Sequence, residues 1–240
     1  MNLILLFNDD FIAPDRVELR GRRLQHVRTV HRACIGDHLR VGLIEGQIGL
    51  GTVLACDETR LELQVAFTSP PPPPLPLTLL LALPRPKVLK RVLITATSMG
   101  VKQLYLLNSY RVEKSYWRSP QLSTENLHDT LCLGLEQGRD TLIPHIHLRP
   151  LFKPFVEDEL PALCSGKTSI VAHPGNNHLA IQEDEEPGLL AIGPEGGFIP
   201  YEIEKLQAAG FQTMSLGPRI LRVEAAVPAL LARLFGQTLA

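Results

Sequence analysis

The sequence predicts an α/β chain in two parts: a small β-rich domain, then a larger, mostly parallel sheet with helices on both faces. Three observations carry that expectation. Residues 70–76 read PPPPPLP, a run that no helix or inner strand accommodates and that favours a stiff, extended spacer. Ahead of it lie short alternating segments punctuated by glycines and acids. Behind it, apolar strands alternate with stretches of helical periodicity.

Taken in order, residues 2–7 (NLILLF) read as a strand, and residues 21–33 as the one helical stretch of the first part. Strands follow at 38–44, 46–56 and 60–67. Short strands with frequent turn signals indicate a small β barrel or sandwich over residues 1–69. Beyond the 70–76 linker, 77–83 (LTLLLAL) is a near-continuous apolar strand. Residues 86–100 place Val88, Leu89, Val92, Leu93 and Ala96 at helical spacing and stop at Gly100. A strand (101–107), a helix (119–138), a strand (143–148) and a helix (151–163) come next. Strands 168–173 and 188–193, helix 200–209, strand 211–216 and a last helix, 222–236, complete the chain. That last helix is expected to leave Leu230, Leu231, Leu234 and Phe235 exposed, and to tolerate Pro228 only by starting near Glu224. The alternation of strand and helix over 77–240 predicts the parallel sheet.

The chain has 240 residues, 45% hydrophobic and 20% charged, enough for one sizeable core and a smaller one. Its net charge of −1 means that any nucleic-acid binding comes from local patches. Cys34, Cys56, Cys132 and Cys164 are scattered, with no CxxC pair, and read as core residues in a reducing compartment; no metal site is expected. His145, His147 and His178 show no ligand spacing either. The opening MNLILLFNDD lacks a basic lead and closes on two acids, so it reads as a strand and not a signal peptide. No apolar run is long enough to cross a bilayer. A cytoplasmic protein is expected.

Three glycine- or proline-rich loops end predicted parallel strands: HPGN (173–176), GPEGG (193–197) and LGPRIL (216–221). In open α/β sheets, ligands bind beyond the carboxyl ends of the strands, so the three loops predict one small-molecule pocket lined mainly by backbone. The phosphate-binding GxxxxGK[ST] is absent, and LALPRPK stands where a dinucleotide GxGxxG would follow the first strand. A ligand bearing an adenine and an amino acid, held by main-chain groups, fits this pattern.

IGPEGGF (192–198) followed by LGPRILRVEAA (216–226) resembles the RsmE family of SPOUT-superfamily methyltransferases. HVRTVHRACIGDHLRV (26–41), EQGR (136–139) and HP (173–174) extend the resemblance over essentially the whole chain. It implies a homodimer that uses S-adenosylmethionine to methylate N3 of uridine 1498 in 16S ribosomal RNA of the small subunit. It further implies a PUA-like RNA-binding first domain, and a second domain whose sheet is tied in a trefoil knot, one of the rare exceptions to the unknotted rule. By position, the cofactor site comprises Ala172, His173 and Pro174; Ile192, Gly193, Glu195, Gly196 and Gly197; and Leu216, Gly217, Pro218, Ile220, Leu221 and Arg222. The chain departs from the family pattern at Val223 and Ala225, usually threonines, and in EQGR, which is one residue short. Ser98-Met99-Gly100 also replaces a Glu-Leu-Gly ending. Two rival readings are a catalytically silent RNA-binding or ribosome-assembly protein, and a SPOUT enzyme acting on a ribose 2′-hydroxyl.

Arg16, Arg20, Arg22, Arg23, Arg28, Arg32 and Arg40 fall in a stretch whose only acids are Glu18 and Asp37, and residues 1–69 contain no lysine. Arginine forks engage phosphate bidentately and stack on bases, so this cluster is expected to bind RNA. Arg85, Lys87, Lys90 and Arg91 crowd the start of a helix, where cations oppose the macrodipole, and point to phosphate contacts. The acids at 183–186 read as a solvated loop, and Glu195 as a loop cap or a carboxylate beside the sulfonium. Arg139 and Arg222 are the candidates for stabilising charge on the uracil oxygens. No residue stands out as general base.

Overall fold

The run Leu3–Leu6 is apolar without alternation because its strand is buried on both faces. In the computed structural model, which describes residues 2–174, 188–236 and 238, β1 (Ile4–Leu6) turns Ile4 and Leu6 into a cluster with Val17, Leu24, Val41 and Leu63. Leu3 and Leu5 point the other way, onto Cys132 and Leu135. Period-two side-chain geometry divides the strand between two cores.

Two compact units form, one of residues 1–73 with 131–143, the other of 74–130 with 144–240. The first holds β1, β2 (Phe11–Ala13), β3 (Arg16–Leu19), β4 (His38–Leu43), β5 (Ile48–Cys56) and β6 (Leu61–Ser69) in one sheet, ordered β1-β4-β5-β6-β3-β2. Only β1 with β4 is parallel. The β2–β3 hairpin is an addition to the sequence reading. Its strands have three and four residues, too short to show a period, and Pro14-Asp15 turns between them. The helical stretch expected at 21–33 is α1 (Gly21–His26), widened into a π-type turn over Val27–His31 and closed by left-handed Arg32.

Arg23 fastens this unit. Its guanidinium donates to both Asp10 carboxylate oxygens at 2.6 Å and to the Leu5 carbonyl at 2.8 Å, and lies 5.3 Å over the Phe7 ring. Asp10 also accepts from the Phe7 N–H at 2.7 Å.

The second unit contains β7 (Thr78–Ala82), α2 (Pro86–Ser98), β8 (Gln103–Leu107), α3 (Thr124–Gly138, whose residues from 131 belong to the first unit) and β9 (His145–Arg149). A helical stretch follows: α4 (Phe152–Pro154), a π-type turn Phe155–Glu159 and α5 (Leu160–Cys164). Then come β10 (Ser169–Ala172), β11 (Leu189–Ile192), α6 (Pro200–Ala208), β12 (Phe211–Met214) and α7 (Val223–Leu234). The helix expected from 119 starts at Thr124, because 3₁₀ turns occupy 114–118 and 120–122 and the Ser123 hydroxyl accepts from the Asn126 N–H. The six strands form the expected parallel sheet, ordered β12-β10-β11-β7-β8-β9. The inner strands β7 and β11 read as continuous apolar runs because both faces are buried, whereas the edge strands β9 and β12 carry polar, exposed positions.

The last helix corrects one expectation. Leu230, Leu231, Leu234 and Phe235 are buried, not exposed, since α7 packs on α2 within the main core. A helix this apolar on several faces is a core helix. It starts at Val223 and carries Pro228 inside it.

Because Arg23 and Asp10 are a partly buried pair with side chains 18% and 10% exposed, Arg23→Ala leaves a carboxylate uncompensated and should cost about 3–5 kcal/mol. Arg40→Ala, on an exposed arginine of the same cluster, should stay within roughly 0.5 kcal/mol. Urea unfolding of the two variants checks the difference.

Candidate active site

The three loops leave three adjacent strands at one level. β10 pairs with β11 and β12 in register, so Ala172 lies opposite both Ile192 and Met214. The His173 N–H extends the ladder by one bond, to the Met214 carbonyl at 2.9 Å. Beyond these ends opens a cavity of about 120 Å³. Its described lining includes eleven of the fourteen expected residues: Ala172, His173, Pro174, Ile192, Gly193, Glu195, Gly197, Leu216, Gly217, Ile220 and Leu221. Gly196, Pro218 and Arg222 do not line it, whereas Pro194, Met214, Ser215, Arg219, Val223, Ala226 and Leu230 do. Of the first loop, Gly175 and Asn176 lie outside the described residues, as do His178 and the acids at 183–186.

Each loop is shaped by its glycines. Gly197 and Gly217 have φ of +72° and +117° and face open space where a Cβ would sit, conformations that favour glycine. At Gly193 an added Cβ would meet the Phe198 backbone nitrogen at 2.9 Å, so the loop closes on itself only without a side chain. The Gly197 N–H donates to the Pro194 carbonyl at 2.8 Å. The buried Ser215 hydroxyl bridges the Gly217 N–H and carbonyl, both at 3.2 Å. His173 contributes a buried Nδ1 with no hydrogen-bond partner among the described residues, and its burial lowers the ring's pKa.

Charged residues hold the glycine loop from behind. Glu195 accepts from the Arg85 N–H at 3.0 Å, with the Arg85 guanidinium 4.0 Å away. Arg85 is the N-cap of α2, so a carboxylate sits where the positive end of the macrodipole favours it and offsets the local cations. Glu202, fully buried, accepts from the N–H groups of Ile199 at 3.0 Å and Tyr110 at 2.8 Å. Arg111 donates to the Gly196 carbonyl. Glu202 has one local partner, Ile199 at the start of α6, but its bond to Tyr110 and that of Arg111 to Gly196 join positions far apart in the chain, and no local sequence signal marks them.

The arginine cluster is less free than its sequence suggests. Arg16 pairs with Glu62, Arg20 with Glu18 at 2.7 Å, and Arg22 with the buried Glu136 at 2.8 Å. Arg23 gives both guanidinium nitrogens of its fork to Asp10. Arg28 lies 3.7 Å from the exposed Glu58, while exposed Arg32 and Arg40 have no ion pair among the described residues. Lys87, Lys90 and Arg91 are exposed on α2. Arg222 is exposed at the N-cap of α7. Arg139, with φ +56°, is exposed in the first unit. Among the described residues no group of His, Cys, Asp and Glu could hold a metal, and no helix is long and apolar enough to cross a membrane.

A parallel sheet with its ligand cavity at the strand ends, built from these loops, defines a class that the family comparison names. Residues 71–235 match the RNA methyltransferase domain, and the chain belongs to that family. The resemblance read from the sequence is borne out by relatives named ribosomal RNA small subunit methyltransferase E. That of Treponema pallidum is 26% identical, covering 97% of this chain and 90% of its own. That of Mesomycoplasma hyopneumoniae is 28% identical over 58% of this chain and 60% of its own. The Neisseria gonorrhoeae enzyme of that name, solved bound to S-adenosylmethionine, shares the fold with a TM-score of 0.73 at 18% identity, covering 99% of this chain and 98% of its own.

The His173 ring supplies a pH test. Its folded pKa is depressed by burial, so below the ordinary histidine value of about 6.5 the unfolded chain takes a proton that the folded chain resists. Stability is therefore lost as pH falls from that value and is unaffected by this ring well above it. Between about pH 7.5 and pH 5.5 the wild type should lose more unfolding free energy than His173→Asn, measured by urea denaturation at both values.

Proposed function

We propose that this chain uses S-adenosylmethionine to methylate N3 of uridine 1498 in 16S ribosomal RNA of the small subunit. The observation that carries this reading is the cavity beyond the in-register ends of β10, β11 and β12, in a chain of the RNA methyltransferase family. The residues present fit the cofactor. Gly197 and Gly217 leave open space against bare main chain, and the His173 Nδ1, which has no partner among the described residues, offers a polar atom to a ligand. His173, Ile192, Gly193, Leu216 and Gly217 would hold it, flanked by apolar Ile220 and Leu221.

Bound there, S-adenosylmethionine supplies an electrophilic sulfonium methyl. The chain would hold uracil N3 next to the bound cofactor, and such positioning provides much of a rate enhancement of this kind. Arg222, next in sequence to the cavity-lining Leu221, stabilises negative charge on the uracil oxygens as N3 gives up its proton. Arg139 is the second candidate for that task. The first unit is read as the PUA-like RNA-binding domain, the proline run as its linker and residues 77–240 as the SPOUT domain. On that unit Arg32 and Arg40, with no ion pair among the described residues, and Arg28, whose partner Glu58 is exposed, are the arginines proposed to meet phosphate. Arg85 and Lys87 on the second unit serve the same end. The return of β10 and β11 between β12 and β7 supports the trefoil knot of the resemblance. Ile220, 82% exposed, and Leu221 replace the buried α7 leucines as the apolar surface that supports a homodimer.

Isothermal titration should show S-adenosylmethionine binding to the wild type and none to Gly193→Val, whose branched side chain has no room against Phe198. Equal affinities would remove the cofactor from this cavity. Incubated with cofactor and small subunits lacking the modification, the protein should yield one N3-methyluridine by mass spectrometry of digested RNA. A 2′-O-methyl nucleoside or no product would favour the ribose-modifying or silent readings. In the same assay Arg222→Ala should lower turnover roughly 100-fold with cofactor affinity kept, the size seen when one oxyanion donor is removed.

A further inference from the structure

We propose that Arg111 is a positioning residue for the cofactor loop: by donating to the Gly196 carbonyl and covering Gly196 with its side chain, it holds GPEGG in its receptive shape. The inference rests on the cofactor reading above, and it assigns a task to a segment, residues 108–112, that no motif marks. That segment follows β8 and is stiff. Its Asn108 N–H donates to the Arg149 carbonyl at 2.9 Å, and its Asn108 side chain accepts from the Trp117 indole at 3.0 Å. The Val112 N–H closes a turn onto the Ser109 carbonyl at 3.0 Å, and the Tyr110 N–H is held by Glu202. Arg111 therefore projects from a fixed backbone.

Its side chain meets the glycine loop in two ways. The guanidinium donates to the Gly196 carbonyl, and its stem lies so close that a Cβ added at Gly196 would come within 2.8 Å of the Arg111 Cδ. Gly196 does not itself line the cavity, but Glu195 and Gly197 on either side of it do. Glu195 is separately held by the Arg85 N–H. Arg85 and Arg111 thus restrain consecutive residues of one short loop, Arg85 through the Glu195 carboxylate and Arg111 through the Gly196 carbonyl. Arg111 is exposed, and no acid among the described residues pairs with it. A cation with no ion pair, spent on a loop carbonyl, fits the shaping of that loop better than the stability of the unit.

The double-mutant cycle of Arg111→Ala and Gly196→Ala tests this, because the two changes disturb one contact from its two ends. Titrated with S-adenosylmethionine, each single variant should bind roughly tenfold more weakly than the wild type, and the double variant no more weakly than either. Arg111→Lys, which keeps one donor and an aliphatic stem, should recover most of the affinity. Melting temperatures should stay within about 2 °C of the wild type, since surface substitutions move stability little in a chain of this size. Multiplying losses in the double variant, or unchanged affinity in Arg111→Ala, would overturn the assignment while leaving cofactor binding standing. Absence of binding by the wild type would overturn the functional reading and this one with it.

Discussion

The register of β10 is the constraint on which the site depends. Parallel strands buried on both faces carry no alternation of apolar and polar residues, so burial alone does not set which residue faces which. Bonds at the two strand ends do. The Gly188 N–H donates to the Thr168 carbonyl at 2.9 Å before the ladder starts, and the His173 N–H to the Met214 carbonyl at 2.9 Å after it stops. Between those limits Ala172, Ile192 and Met214 are brought level. A slip of one residue in β10 would carry His173 and Pro174 about 3.3 Å along the strand, out of step with the other two loops.

Polar side chains around the cavity work mostly on main chain. Glu195 is bonded to the Arg85 peptide, Glu202 to the Ile199 and Tyr110 peptides, Ser215 to Gly217 and Arg111 to Gly196. The walls are largely backbone and small or aliphatic side chains, with His173 as the exception, one ring nitrogen of which is unpaired among the described residues. Shape is thus set at a distance from the ligand. Residues that look remote from the chemistry carry its geometry, in the way outer-layer groups orient catalytic ones elsewhere.

Much of this arrangement was legible in the sequence. Apolar runs ending in Gly-Pro or His-Pro identified the strands and the ligand loops, since few other residues permit such turns. What escaped was whatever depends on partners far along the chain. Asp10, Glu62 and Glu136 answer Arg23, Arg16 and Arg22 from outside the basic stretch, so counting nearby acids overstated the free charge. Leu230, Leu231, Leu234 and Phe235 looked exposed because nothing local announces that α7 packs on α2. Glu195 was open between loop cap and cofactor neighbour, and the contact that shows it capping α2 spans 110 positions.

The placement of residues 131–143 in the first unit has a consequence for synthesis. Leu3 and Leu5 take part of their cover from Cys132 and Leu135, beside Phe7, Ile44, Ile48 and Ile143, and Glu136 gives its carbonyl to the N–H groups of Asn2 and Leu3. Domains emerging from a ribosome usually fold in order from the amino end. In this first unit the cover of β1 on the side of Leu3 and Leu5 is incomplete until a segment far beyond the proline run has been made. One apolar face of its first strand thus waits through the synthesis of β7, α2 and β8, a period in which exposed strand surface invites wrong pairing. Completion of the first unit is tied to the second being well under way, and the two mature together although their cores are separate.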